Sequence, residues 1–210
     1  MKKIIYLTVL IVFSINCKAQ LTIMPIEDFN DFDLQSNTYV MDTNGLLNSY
    51  VGTWLYNNGT TSLKFVLRKE VNDDNGYYHE DLIYGEYEYI ENGVVKVNTL
   101  PLIDNVYTAQ KNHTIGGNYL LTKNDIFNYG KCDDCGENEK RLLLFMGDPI
   151  TQGDATNLVL RRITVNGQPA ISAMINFGGL KTSGDPYTGY TSEFVGSTVP
   201  NGTYILLKQP

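Results

Sequence analysis

Alternation with a period of two restricts this chain more than any other feature. In residues 61–70, Leu63, Phe65 and Leu67 alternate with Ser62, Lys64 and Arg68. In residues 83–89, Ile83, Gly85, Tyr87 and Tyr89 alternate with Tyr84, Glu86 and Glu88. Successive side chains on a strand point to opposite faces, so each stretch predicts one buried face and one solvated face. The segments are joined by hairpin signals. Asn92-Gly93 links the second segment to VVKVNTL, and Asn166-Gly167 links NLVLRRITV to QPAISAMINF. Both residues of such a turn need positive φ, which Asn and Gly tolerate best. RLLLFM at 141–146 is an apolar run stopped by Gly147-Asp148-Pro149, and TYILLKQ forms a last strand. No strand-then-helix alternation follows the N-terminal apolar run, which argues against a parallel sheet with helical crossovers.

These signals predict an all-β fold, an antiparallel meander of about eight to ten strands. A meander of that length has two exposed edges unless it closes. A closed, lipocalin-like barrel is therefore expected in preference to a two-sheet sandwich. TYILLKQ is the natural partner of GTWLY at the seam, and LLNSY (46–50) is expected to make one helical turn before the first barrel strand.

The chain opens MKKIIYLTVLIVFSINCKAQ, with a basic start and an apolar run from Ile4 to about Ser14. That run is shorter than the roughly 20 residues a membrane-spanning helix needs, and it suits the centre of a secretory signal. The expectation is a signal over residues 1–19, cut after Ala19 to leave Gln20 as the new N-terminus. The alternative is lipidation of Cys17, although Ser14 and Asn16 suit a lipoprotein site poorly. Either way the protein is expected to be exported to the periplasm or beyond, without a transmembrane segment. Residues 20–45 read as an acidic, irregular arm, pinned by Phe29, Phe32, Leu34 and Tyr39, and residues 46–210 as a single β domain. The net charge is −7 with a pI near 4.8 and no basic run, which disfavours a nucleic-acid partner.

Two resemblances add to this reading. Gly52-Thr53-Trp54, following a helical turn, resembles the Gly-x-Trp first strand of the calycins and lipocalins, in which the tryptophan closes the floor of an up-and-down barrel. Where that pattern places an arginine near the last strand, this chain offers Lys208, with Arg161 and Arg162 in an earlier strand. More broadly, the succession of a Lys-rich signal ending in CKAQ, then YVGTWLYNNG, YGEYEYIENG and a late strand pair ending in LLKQ resembles an exported Bacteroidota family of unknown function. That resemblance implies a small secreted β domain and carries no activity.

The chemically suggestive residues mostly have plain readings. Cys132 and Cys135, flanking Asp133 and Asp134 in KCDDCGENEK, are expected to form a local disulfide in an exported protein. A redox pair usually sits at a helix start, and a zinc site would need further ligands. His79 and His113 stand in no metal or triad spacing and read as surface or strand-end residues. VNDDNG (71–76) lacks the ligands of a calcium loop, with Val71 and Leu82 at positions that need acids, and reads as a hairpin loop. EDFNDFD (27–33) reads as solvated. Glu86 and Glu88 share one strand face and read as wet sheet surface. Asn58, Asn112 and Asn201 begin Asn-x-Thr sequences in expected turns.

The sequence therefore points to a non-enzymatic protein without metal or cofactor. The first expectation is a small apolar ligand held inside the barrel, with Trp54 at the floor and Leu63, Phe65, Leu67 and Tyr87 around it. The alternative is an interaction module whose tyrosine-rich face, drawn from Tyr77, Tyr78, Tyr84, Tyr87 and Tyr89, engages a glycan or a protein. An open interior would favour the first and a filled core the second.

Overall fold

The computed structural model describes residues 21–29, 34–125, 132–151, 156–176, 180–185, 189–194 and 196–210. Its strands are β1 (Thr22–Pro25), β2 (Thr38–Met41), β3 (Gly52–Asn58), β4 (Thr61–Asp74), β5 (His79–Glu91), β6 (Val94–Asn98) and β7 (Ile115–Leu121), then β8 (Arg141–Met146), β9 (Thr156–Val165), β10 (Gln168–Asn176), β11 (Leu180–Asp185), β12 (Gly189–Phe194) and β13 (Gly202–Lys208). Among the described residues, short 3-10 turns are the only helical elements.

Eight strands close into an antiparallel barrel in the order β5, β4, β3, β13, β10, β9, β8, β7, with β7 returning to β5. The expected seam is present: Leu207 pairs with Leu55 and Lys208 with Trp54, and Gln209 N donates to Thr53 O at 2.8 Å. Both Asn-Gly turns have positive φ at both residues, 52° and 75° at Asn92-Gly93 and 50° and 80° at Asn166-Gly167. The helical turn expected at 46–50 is a 3-10 turn, Leu46–Tyr50.

β5 is forked. Its middle, Ile83–Gly85, pairs with Ile115–Gly117 of β7, while its end, Glu88–Glu91, pairs with β6 on the same side. The connection from β6 to β7 lies across the outer face of β5 and buries Glu86 beneath it. Residues 20–45 contain β1 and β2, which pair in parallel, and β2 adds in parallel to the start of β5 through Tyr39–His79 and Val40–Glu80. Ile26 and Val40 of this segment are buried in the main core, with Phe29 and Leu34 packed against it. Phe32 and Cys17 lie outside the described residues. β4 runs through Asp74, so VNDD (71–74) belongs to a strand with a register shift between Glu70 and Asp73, and only Asn75 and Gly76 of VNDDNG lie in the hairpin loop to β5. Among the described residues, β11 and β12 pair only with each other.

The inward faces fill the barrel. Trp54, Leu63, Phe65, Leu67 and Tyr87 are 0–2% exposed, and Leu142, Leu144, Leu158, Leu160, Ile171 and Leu206 meet them from the opposite wall. An eight-stranded barrel is just wide enough for side chains to pack across its axis. Trp54 is held from two sides: its Nε1 donates to Tyr50 O at 2.8 Å, and Lys208 Nζ lies 5.3 Å from the ring centroid. Gly52 makes room for that lysine. Its φ is +136°, and a Cβ there would sit 3.0 Å from Lys208 Cε.

At one end Asp148 fastens the approach to β13. It accepts bonds from Thr198 N at 2.6 Å, Ile150 N at 2.9 Å and Thr198 Oγ1 at 3.2 Å, which seats Val199 in the core. Burial alone would raise this carboxyl, but the N–H donors of Thr198 and Ile150 outweigh it and hold it below the ordinary value. Elsewhere the Cys132–Cys135 disulfide is formed as expected. Its loop is tied to β9 by Arg161, whose guanidinium reaches Glu139 Oε1 at 2.6 Å and Asp134 Oδ2 at 2.7 Å.

Candidate outer cleft

A concavity lies on the outer wall, where β5, β7 and β8 run side by side under the N-terminal segment. β7 is irregular there, its pairing with β8 shifting register between Gly116 and Tyr119. Gly116 is required because the turn at Gln110–Asn112 lies directly on it; a Cβ would come within 2.8 Å of Lys111 O. The irregularity turns Asn118 toward β5. Its Nδ2 donates to Glu80 Oε2 at 2.8 Å and to Asp81 O at 2.9 Å. Glu80 also accepts from Asn75 Nδ2 at 2.7 Å and from the Tyr78 hydroxyl at 3.4 Å. Glu80 and Asn118 are thus a buried, hydrogen-bonded floor.

Aromatic rings stand around that floor. Phe29 lies 6.4 Å from Tyr78 and 5.9 Å from Tyr119, centroid to centroid, with interplanar angles of 41° and 71°. Leu143 and Phe145, two apart on β8, complete one wall, and Phe145 is 55% exposed. Lys111 lines the edge and forms no ion pair among the described residues. The cleft has a volume of about 420 Å³, within the range of small-ligand sites, ~300–1,000 Å³.

The structure sorts the sequence-predicted residues into different places. Trp54, Leu63, Phe65, Leu67 and Tyr87 do come together, in the packed interior. The five tyrosines do not share a face: Tyr87 and Tyr89 point inward, Tyr84 lies under the β6–β7 connection, Tyr77 is exposed and Tyr78 lines the cleft. Burial, with Glu91 beside it, pushes the Tyr89 hydroxyl up to about 12. The sulfurs of Cys132 and Cys135 lie near the Asp134 carboxylate, but they are spent on each other and Asp134 is held by Arg161.

Glu86 and His113 depart from their surface reading. Both are buried, with His113 Nδ1 2.8 Å from Glu86 Oε1 and Nε2 3.1 Å from Gln110 Oε1. Tyr84 stacks on the imidazole at 4.6 Å and Tyr107 meets it edge-on at 4.7 Å. Glu86 lies on the face of β5 that the alternation reads as solvated, but Glu80, Leu82 and Tyr84 on that face are buried as well, and the overlying connection covers Glu86 itself. The pair is sealed from the cleft by its own aromatic cover and reads as the fastening of that connection to the barrel wall.

A family model described as a family of unknown function, DUF6705, matches residues 1–209. The chain belongs to the DUF6705 family. No curated protein and no solved structure matches it. For this DUF6705 chain, no helix among the described residues is long and apolar enough to cross a membrane.

Proposed function

We infer that this protein is a non-enzymatic, exported binding module that engages its partner on the outer cleft between β5, β7 and β8. The observation that carries the reading is a contrast. The barrel interior is packed with side chains at 0–2% exposure, whereas the outer wall offers aromatic rings around a buried polar floor. Tyr78 is the member of the tyrosine group that serves this site. Glycoside cleavage uses two carboxylates flanking the bond; Glu80 is the one acid lining the cleft among the described residues, and three donors already occupy it. Export accords with the Cys132–Cys135 disulfide and with the signal-like N-terminus.

Chemical-shift mapping on isotope-labelled protein tests this, using fatty acids, sterols, quinones, oligosaccharides and short peptides. Perturbations are expected at Tyr78–Glu80, Gly116–Tyr119 and Leu143–Phe145. Saturable shifts centred on Trp54, Leu63 and Phe65 would instead return the ligand to the interior. Intact-mass analysis of the secreted chain tests export: a species beginning at Gln20 is expected, and a lipid adduct on Cys17 would replace soluble release with anchoring.

A further inference from the structure

We propose that the outer cleft is a saccharide site, taking a short neutral oligosaccharide with one ring against the wall formed by Phe145 and Tyr119 and its hydroxyls on the Glu80–Asn118 floor. The proposal rests on the reading of the cleft as a binding site and names what that site takes.

Three properties of the lining select this class. The first is the combination of rings and a polar floor. A sugar presents C–H groups on one face and hydroxyls around its edge, which matches aromatic surface beside fixed polar atoms. A purely apolar ligand would cover Glu80 and Asn118 without replacing lost water, and buried polar groups left unpaired are costly. The second is the state of those polar atoms. Asn118 spends both Nδ2 hydrogens on Glu80 and Asp81, which leaves its Oδ1 as the acceptor for a hydroxyl. Glu80 receives three donors on about four lone-pair sites, leaving one. Both atoms are oriented in advance by neighbours, so binding a hydroxyl costs little reorganisation.

The third property is charge. Glu80 in the floor opposes an anion, and Lys111 at the edge opposes a cation. A neutral ligand satisfies both. A peptide is disfavoured because the strands at the centre of the cleft already have partners. β7 is paired with β8 on one side; on the other, β5 holds it over Ile115–Gly117 and the turn Ile26–Asp28 packs beside it, which leaves an added strand only a short stretch of backbone from Asn118 onward.

The test is titration of the isotope-labelled full chain with cellotriose, maltotriose, xylotriose, mannotriose and N-acetylchitotriose. Palmitate and trialanine serve as comparison probes. At least one trisaccharide is expected to shift Gly116, Gly117, Asn118 and Phe145 saturably. Phe145→Ala is expected to weaken that binding about tenfold. Because Phe145 is exposed, the variant should melt at the parental temperature.

Cleft shifts from palmitate or trialanine with none from any trisaccharide would overturn the saccharide assignment and leave the cleft as the binding site. No cleft shift from any probe would overturn both. Trisaccharide binding that is indifferent to Phe145→Ala would place the sugar elsewhere and also overturn the proposal.

Discussion

Trp54 is a fixed point of the packed barrel interior. It is 2% exposed, and its indole N–H is committed to Tyr50 O. Trp54→Ala is expected to cost ~3–5 kcal/mol through lost burial and a residual cavity, measured by urea denaturation followed by circular dichroism. Gly52, two residues earlier, separates two causes of strain. Its φ of +136° penalises any side chain, while its contact with Lys208 involves the far end of a flexible one. Gly52→Ala is therefore expected to cost ~1–3 kcal/mol, mostly from backbone strain. The same cost should appear in a Lys208→Ala background; full recovery there would assign the penalty to crowding over the tryptophan. The sequence pointed to Gly52, Trp54 and Lys208 through the resemblance to the Gly-x-Trp first strand, with TYILLKQ expected beside GTWLY at the seam. It did not reveal Glu86 as buried. That residue falls on the polar phase of its strand's alternation, and what covers it comes from the connection between β6 and β7, whose path no local pattern encodes.

Among the elements, the Cys132–Cys135 loop is joined to the barrel by a charge fork. Hydrogen bonds from Arg161 hold Asp134 and Glu139 below their ordinary values of 3.8 and 4.5, and the same bonds raise the guanidinium further. Since both carboxyls are depressed in the folded protein, their contribution is complete above those ordinary values. It is lost as pH falls through the lowered folded ones. Asp134 is largely exposed and Glu139 only partly buried, so the effect on global stability is small, and local attachment is the better readout. Hydrogen exchange at Gly136 and Glu139 is expected to accelerate as pH drops below about 4 once the intrinsic pH dependence of exchange is removed. Arg161→Lys, which cannot make the same fork, should show the faster exchange already at neutral pH. An unchanged profile in Arg161→Lys would mean that the disulfide alone holds the loop. Reduction is expected to destabilise the fold only modestly, because so short a loop constrains little chain entropy. The strands themselves were largely legible from alternation and the Asn-Gly turns. β1 and β2 were not, since each is only four residues long and pairs in parallel outside the hairpin logic.

At the scale of the whole molecule, closure rests on a narrow seam. β13 meets β10 over six residue pairs but β3 over only two, Leu207–Leu55 and Lys208–Trp54, with one added bond from Gln209 N to Thr53 O. The candidate cleft lies away from this seam and draws on Phe29, Tyr78, Glu80, Asn118 and Phe145. Four separate segments thus meet only after the barrel has closed and the N-terminal segment has docked. That is why its residues carried no motif, while the order of hairpins did announce the barrel. The seam has a testable consequence. Removing residues 202–210 deletes β13 and leaves β3 and β10 as facing open edges. It also strips Leu206 from the core and Lys208 from Trp54. Long unpaired edges on an opened sheet recruit other chains. The truncated protein is therefore expected to lose its cooperative melting transition and to elute as high-molecular-weight species, by light scattering coupled to gel filtration. Supplying GTYILLKQP as a synthetic peptide during refolding should restore part of the folded population by filling the empty position between β3 and β10. A truncated chain that stays monomeric and melts cooperatively without the peptide would show that the sheet is stable open, and that barrel closure contributes little to holding the fold.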